Sequence, residues 1–263
     1  MLNGFRAAYY RTFGVPRIAG LLATTGEVAR DPLRRAMDTG LLMYELIDAG
    51  TRAERGREVI RMVNRFHGPY AIDPDDMRYV LCTFIVVPLR WIDEYAWRSC
   101  TTGERDAVTR FYGEIGRLMG MPDRPRTWDE AATFLDEFEA AHVRYSAEGA
   151  ALMAASEAEI AQRLPRVVRP LAGRVNALLL TDQLCGAVGV ASPTRVSRSV
   201  FQAVMWGHAQ VARHRGPRKE PRFRPGASAR GLYPSGYRLS DLGPGGGAGG
   251  GHDSGLKETR PAS

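Results

Sequence analysis

Apolar residues recur every three or four positions along most of the chain, the spacing that lines one face of an α-helix. Leu33, Met37, Leu41 and Tyr44 make one such face, and Asp31 before Pro32 supplies an N-cap and a first-turn proline. Val59, Met62, Val63 and Phe66 make a second face, ending at His67, where Gly68-Pro69 stops the helix. Asp73-Pro74-Asp75-Asp76 is a strong start signal, because a cap, a first-turn proline and acids at the positive end of the dipole coincide. The helix it opens carries Val80, Leu81, Phe84, Ile85 and Val87 and is nearly apolar all round, which predicts a central position. Thr101 and Glu104 have the capping-box spacing ahead of the face Val108, Phe111, Tyr112, Ile115 and Leu118. Thr127 and Glu130 repeat it ahead of Phe134, Leu135 and Phe138. Two further helices are predicted over about Val167–Val188 and Thr194–Arg213. No stretch of useful length alternates as a strand would, so the fold class is all-α.

Composition divides the chain in two. The net charge is +7, but from Arg213 to Ser263 ten Lys or Arg face four acids, leaving about +1 for residues 1–212. The basic character therefore belongs to the C-terminal segment, and the overall charge is no argument for nucleic-acid binding. That segment holds 12 of the 29 glycines and few large apolar side chains. It is expected to be a disordered, basic, Gly-rich tail, since burial cannot offset its ordering entropy. The expected organisation is a helical domain over 1–212 and a tail over 213–263.

Three cysteines without CxxC spacing argue against a disulfide framework or a zinc site. The longest apolar run, Tyr79 to Leu89, has eleven residues, against about twenty for a membrane span. No signal-peptide pattern is present, so no membrane span and a cytoplasmic location are expected.

The candidate chemistry lies in the histidines, since there is no phosphate loop, GxSxG elbow or HExxH. His208, His214 and His252 suit solvated positions. Glu139-x-x-His142 has the spacing of a di-iron ligand pair, but such sites need a second copy and none exists. His67 ends an amphipathic helix, where the dipole favours a histidine whether or not it binds anything. A haem site would need such an imidazole, an apolar envelope and a few polar groups opposite. Arg35 and Thr39, one turn apart on one helix face, would supply those groups. They read equally well as a solvated cation and a neutral interior residue, and pattern alone leaves both open.

From Tyr9 to about Ala150 the chain resembles the oxygenase family that includes the latex-clearing proteins and fungal MpaB. The resemblance is carried, in order, by Val15-Pro16, Thr24-Thr25-Gly26-Glu27, Arg34-Arg35-x-x-Asp38-Thr39 and Gly56. It continues through Asn64-x-x-His67-x-x-Tyr70-x-Ile72, Asp75-Asp76-x-x-Tyr79 and Pro88-x-x-Trp91-x-x-x-Tyr95-x-Trp97-Arg98. Thr101-x-x-Glu104 and Gly116-Arg117-x-Met119-Gly120 close it.

The resemblance implies a globin-like multi-helix bundle around haem b, with His67 as the proximal iron ligand and Arg35 and Thr39 as distal groups. It implies a haem-dependent oxygenase using dioxygen on a small apolar, isoprenoid- or lipid-like substrate. In the latex-clearing branch a lysine precedes the threonine; here Asp38 stands there, expected to pair with Arg35 three residues away. Glu27 is the one acid considered for that branch's catalytic glutamate. Two other readings are a haem-binding or sensing protein without turnover and a haem-free helical interaction protein.

Overall fold

The computed structural model describes residues 2–163, 165–166, 172–215 and 231–244. Among these it contains twelve α-helices and no strand. The protein is all-α.

The start signals act as read. The Asp31 carboxylate accepts from Arg34 N at 2.9 Å, opening the helix Pro32–Ala49 (α4). Asp73 does the same for Asp75 N, opening Pro74–Tyr95 (α6). Thr101 and Glu104 form a complete capping box at the start of Thr102–Leu118 (α7). At Trp128–His142 (α8), Thr127 accepts from Glu130 N, but the Glu130 carboxylate returns to Arg126 N, one residue short of a reciprocal box.

Helix α6 is central, packing against α7, α8 and the first helix, Leu2–Arg11 (α1). Its Tyr79 ring stacks on Phe138 of α8 with centroids 4.5 Å apart, and Phe84 stacks on Tyr112 of α7. Tyr79 and Ile85 are wholly buried, and burial of an Ile-sized side chain contributes about 2 kcal/mol. Pro88 lies inside α6, and α1 crosses it closely at Gly4, where a methyl group would come within 2.8 Å of Pro88 Cα.

Helices Pro16–Thr25 (α2) and Glu27–Arg30 (α3) follow α1, joined to it by a short 3-10 turn, and lead into α4. A four-residue turn, 50–53, connects α4 to Glu54–His67 (α5), and the two helices pack side by side. This turn is tight: a methyl group on Gly56 would lie 1.9 Å from the Gly50 carbonyl oxygen. Helix Ala147–Arg163 (α9) packs across α2, α3 and α4.

Besides the first three helices, α1, α2 and α3, which no expected element covers, the structure differs from the sequence reading in three places. Helix α9 is capped by Ser146, whose Oγ accepts from Gly149 N at 3.0 Å, but it carries no stripe of large residues; alanines make up much of it, and Leu152, Met153 and Ser156 form its buried face. The single helix expected over 167–188 is, in its described part, two short helices, Ala172–Ala177 (α10) and Asp182–Ala187 (α11). Thr181 caps the second by accepting from Leu184 N, which forces the break; residues 167–171 lie outside the described ones.

The third difference concerns the C-terminal segment. Helix Arg195–His214 (α12) runs past the boundary placed at residue 212 and packs on α6 through Phe201, Trp91 and Tyr95. Beyond it, residues 231–244 are not disordered but lie against the helical body, with Tyr233, Leu239 and Leu242 buried. Three apolar anchors and a set of hydrogen bonds to α4 order a stretch whose composition alone argues for disorder. The remainder of the expected tail, 216–230 and 245–263, lies outside the described residues.

Candidate functional site

Helices α4 and α5 form an antiparallel pair, so the start of one lies beside the end of the other. Arg35 stands 14 residues before the end of α4 and His67 closes the 14-residue α5. Both are about 21 Å from the turn at 1.5 Å per residue, which brings them to the same open end.

The His67 ring is fixed by one bond. Its Nδ1 lies 2.8 Å from the Val63 carbonyl oxygen. A carbonyl only accepts, so Nδ1 carries the proton and Nε2 keeps its lone pair. Nε2 has no partner among the described residues. Burial pushes the His67 pKa below the ordinary imidazole value, and the Arg35 charge pushes the same way, against the Val63 bond. The neutral tautomer with Nε2 available is the form that ligates a metal.

Across the pair, an Arg35 guanidinium nitrogen donates to Thr39 Oγ1, and Thr39 Oγ1 donates to the Arg35 carbonyl oxygen at 3.0 Å. The threonine proton is thus spent within its own helix, and the hydroxyl braces the guanidinium. Arg35 has no carboxylate partner among the described residues. Its field reaches both His67 and Tyr9. Arg35, Thr39 and His67, each half-buried, are brought together.

Asp38 departs from expectation. It does not pair with Arg35: its Oδ1 accepts from the Tyr233 hydroxyl at 2.6 Å and its Oδ2 from Gly243 N at 3.0 Å, with Arg34 Nε 3.9 Å away. Residues 35 and 38 are close enough on the helix to meet, but the C-terminal segment covers the buried side of Asp38 and the Arg35 guanidinium is turned to Thr39. Both of its carboxylate oxygens are thereby occupied by the C-terminal segment. Glu27 pairs with Arg30 on the short α3.

Sequence reasoning missed Tyr9. Its hydroxyl is buried without a hydrogen-bond partner, and burial pushes its pKa up to about 12, against the pull of Arg35. An orphaned buried hydroxyl in the field of Arg35 is a polar group whose hydrogen bond is left unmade. Nothing in the sequence separates it from Tyr10 and Phe13, with which it forms one aromatic cluster.

The other histidine candidates fall away from this group. Glu139 accepts from Arg11 at 2.7 and 2.5 Å and from the Tyr79 hydroxyl at 3.0 Å, and the His142 ring packs on Phe138. No cluster of three or more His, Cys, Asp or Glu side chains able to hold a metal occurs among the described residues. His208 and His214 are exposed on α12, and His252 lies outside the described residues. A polar cleft of about 430 Å³ lined by Arg78, Arg110, Arg117 and Arg124 shares no residue with the His67 group. No helix among the described residues is long and apolar enough to cross a membrane.

Comparison with known proteins adds three relatives and a family. An ER-bound oxygenase mpaB' of Penicillium brevicompactum is 23% identical over 234 residues, 82% of this chain and 55% of that protein. An ER-bound oxygenase mpaB of Penicillium roqueforti (strain FM164) is 24% identical over 195 residues, 67% of this chain and 65% of the relative. The mpaB of Penicillium brevicompactum is 28% identical over 126 residues, 46% of this chain and 32% of that protein. The chain thus spans between a third and two thirds of the length of these relatives. Residues 1–210, which include Arg35, Thr39 and His67, match the catalytic domain described as ER-bound oxygenase mpaB/B'/Rubber oxygenase, and the chain belongs to that oxygenase family.

Proposed function

We propose that the protein is a haem b-dependent oxygenase that acts on a small apolar, isoprenoid- or lipid-like substrate with dioxygen. The observation that carries this reading is the His67 imidazole, held neutral with Nε2 available, facing the Arg35–Thr39 pair across the α4–α5 end. The orphaned Tyr9 hydroxyl supports it, since a ligand bound there would satisfy it.

His67 would hold the iron through Nε2, with the Val63 carbonyl fixing the ring plane and raising its basicity. Arg35 would neutralise a propionate or donate to an oxygen atom of the reacting molecules, held in place by Thr39. When bound, the haem supplies the redox chemistry by which dioxygen is used. Tyr9 offers a single donor at the edge of an otherwise aromatic cluster. The apolar substrate is supported by the family description, which names a rubber oxygenase.

The test is the absorption spectrum of protein expressed with ample haem, followed by oxygen uptake with a series of alkenes. A stoichiometric Soret band and alkene-dependent uptake are expected. A Soret band without uptake would leave a binding or sensing protein, and its absence would remove the haem reading altogether.

A further inference from the structure

Residues 231–244 lie beyond the family-matched region, which ends at residue 210, yet they touch both helices of the site. Gly243 makes the bridge. Its N–H bonds Asp38 on α4, next to Thr39, and its α-carbon sits against the ring of Phe66 on α5, next to His67. A methyl group there would come within 2.4 Å of the ring, and its φ of +92° disfavours any side chain. A second bridge repeats the arrangement nearer the turn. The Tyr237 hydroxyl donates to Glu45 on α4 at 2.7 Å, and the other oxygen of Glu45 accepts from Arg55 on α5 at 2.8 Å. One turn beyond the Asp38 bridge, the Arg34 guanidinium donates to the Asp241 carbonyl at 3.2 Å and lies over the Tyr233 ring, while Leu239 and Leu242 are buried.

We infer that the segment 231–244 is a strap that sets the spacing of α4 and α5 at the His67 end, with Tyr233 and Gly243 as positioning residues acting through Asp38 and Phe66. Its role at the site rests on the haem reading above; its existence as a strap does not. A hydrogen bond of 2.6 Å from Tyr233 to a buried carboxylate is charge-assisted, and so among the stronger bonds available to a neutral donor. It fixes the rotation of α4 at the residue between Arg35 and Thr39. Gly243 fixes the distance to α5, because any displacement of α5 toward α4 meets backbone rather than a flexible side chain. The substrate-side polar groups and the imidazole are thereby held by a segment that neither helix encodes.

The experiment uses the full-length protein with Tyr233→Phe, which removes only the hydroxyl, and Gly243→Ala, which forces the strap off Phe66. Amide hydrogen exchange and the haem dissociation constant are read for each. In the wild type, amides of 231–244 are expected to be protected. In both variants their protection should fall together with that of Arg35 to Thr39, and haem should dissociate about 10-fold more readily, as for lost support around a metal ligand. The ferric EPR signal should broaden or split, a change that general loss of stability would not produce. An unprotected strap in the wild type, or variants with a released strap and unchanged haem affinity and EPR, would overturn the inference. If the wild type binds no haem, the haem reading fails, and coupled loss of exchange protection in the variants still decides whether the strap positions α4.

Discussion

The Nδ1 atom of His67 lies 2.8 Å from the carbonyl oxygen of Val63, one turn earlier on α5, and that bond decides which ring nitrogen faces outward. Because the carbonyl already has its helical position fixed, the ring cannot turn without losing the bond, so Nε2 is presented in one orientation. His67→Ala removes this group while the apolar face Val59, Met62 and Val63 stays intact. The variant is expected to lose most of its haem and to melt, as apoprotein, within about 1 kcal/mol of the wild type. Retention of full haem content with an unshifted Soret band would show that another residue holds the iron.

Glu139 illustrates how a ligand-like motif is absorbed by structure. Its carboxylate is held by Arg11 and Tyr79 in a largely enclosed setting, with both charged side chains nearly buried. Removing one partner of such a pair leaves the other charge unpaired. Glu139→Ala should therefore cost about 3 kcal/mol in urea unfolding, and Glu139→Gln distinctly less, since it still accepts from Tyr79. Equal costs would show that packing, not charge, holds this corner.

How much of this could be read beforehand follows from range. Asp31, Asp73 and Thr101 announce their helices because a cap bonds to a backbone group two or three residues away. His67 and Arg35 are placed opposite each other by the family resemblance alone, since the pattern of residues leaves both open. The Ala-rich α9 was missed because alanine gives a helix but hardly marks a face. Asp38 was misassigned for a different reason: its partner Tyr233 lies 195 residues away, in a stretch whose glycines and arginines outnumber its few anchors. No local pattern announces that contact. Tyr9 went unnoticed because what distinguishes it is the absence of a partner, which only the folded chain reveals.

Burial pushes the Asp38 carboxyl above its ordinary value, and the bonds from Tyr233 and Gly243 with the charges of Arg34 and Arg35 only partly offset this. A raised folded-state pKa means that the folded protein binds the proton more tightly than the unfolded chain. The favourable contribution is then complete below the unfolded value near pH 4 and is lost as the pH rises through the folded one. At neutral pH the charged Asp38 carries a net burial cost. Asp38→Asn keeps an acceptor for Gly243 N–H, and its amide can bond the Tyr233 oxygen. Its stability relative to the wild type should therefore rise between pH 4 and pH 7 in paired urea titrations. A difference that is flat or falls over that range would mean that the strap bonds outweigh burial.

Gly56 sets the geometry on which the whole site depends. A methyl group there would stand 1.9 Å from the Gly50 carbonyl oxygen, and 2.9 Å from its carbon. The obstacle is backbone, so no side-chain rotation relieves it, and the turn between α4 and α5 must open. Overpacking of this kind costs about 1–3 kcal/mol when the structure shifts to accept it. Because the two helices pivot at this turn, a small opening there is amplified over the roughly 21 Å to Arg35 and His67. Gly56→Ala is expected to lower stability within that range and, more tellingly, to weaken haem retention although the change lies far from the imidazole. Gly20→Ala, at a mid-helix position with open space around it, serves as the control: it should raise stability by about 0.5–1 kcal/mol through helix propensity and leave haem retention unchanged. If Gly56→Ala loses stability but holds haem as tightly as the control, the α4–α5 spacing is not what presents His67 to Arg35 and Thr39.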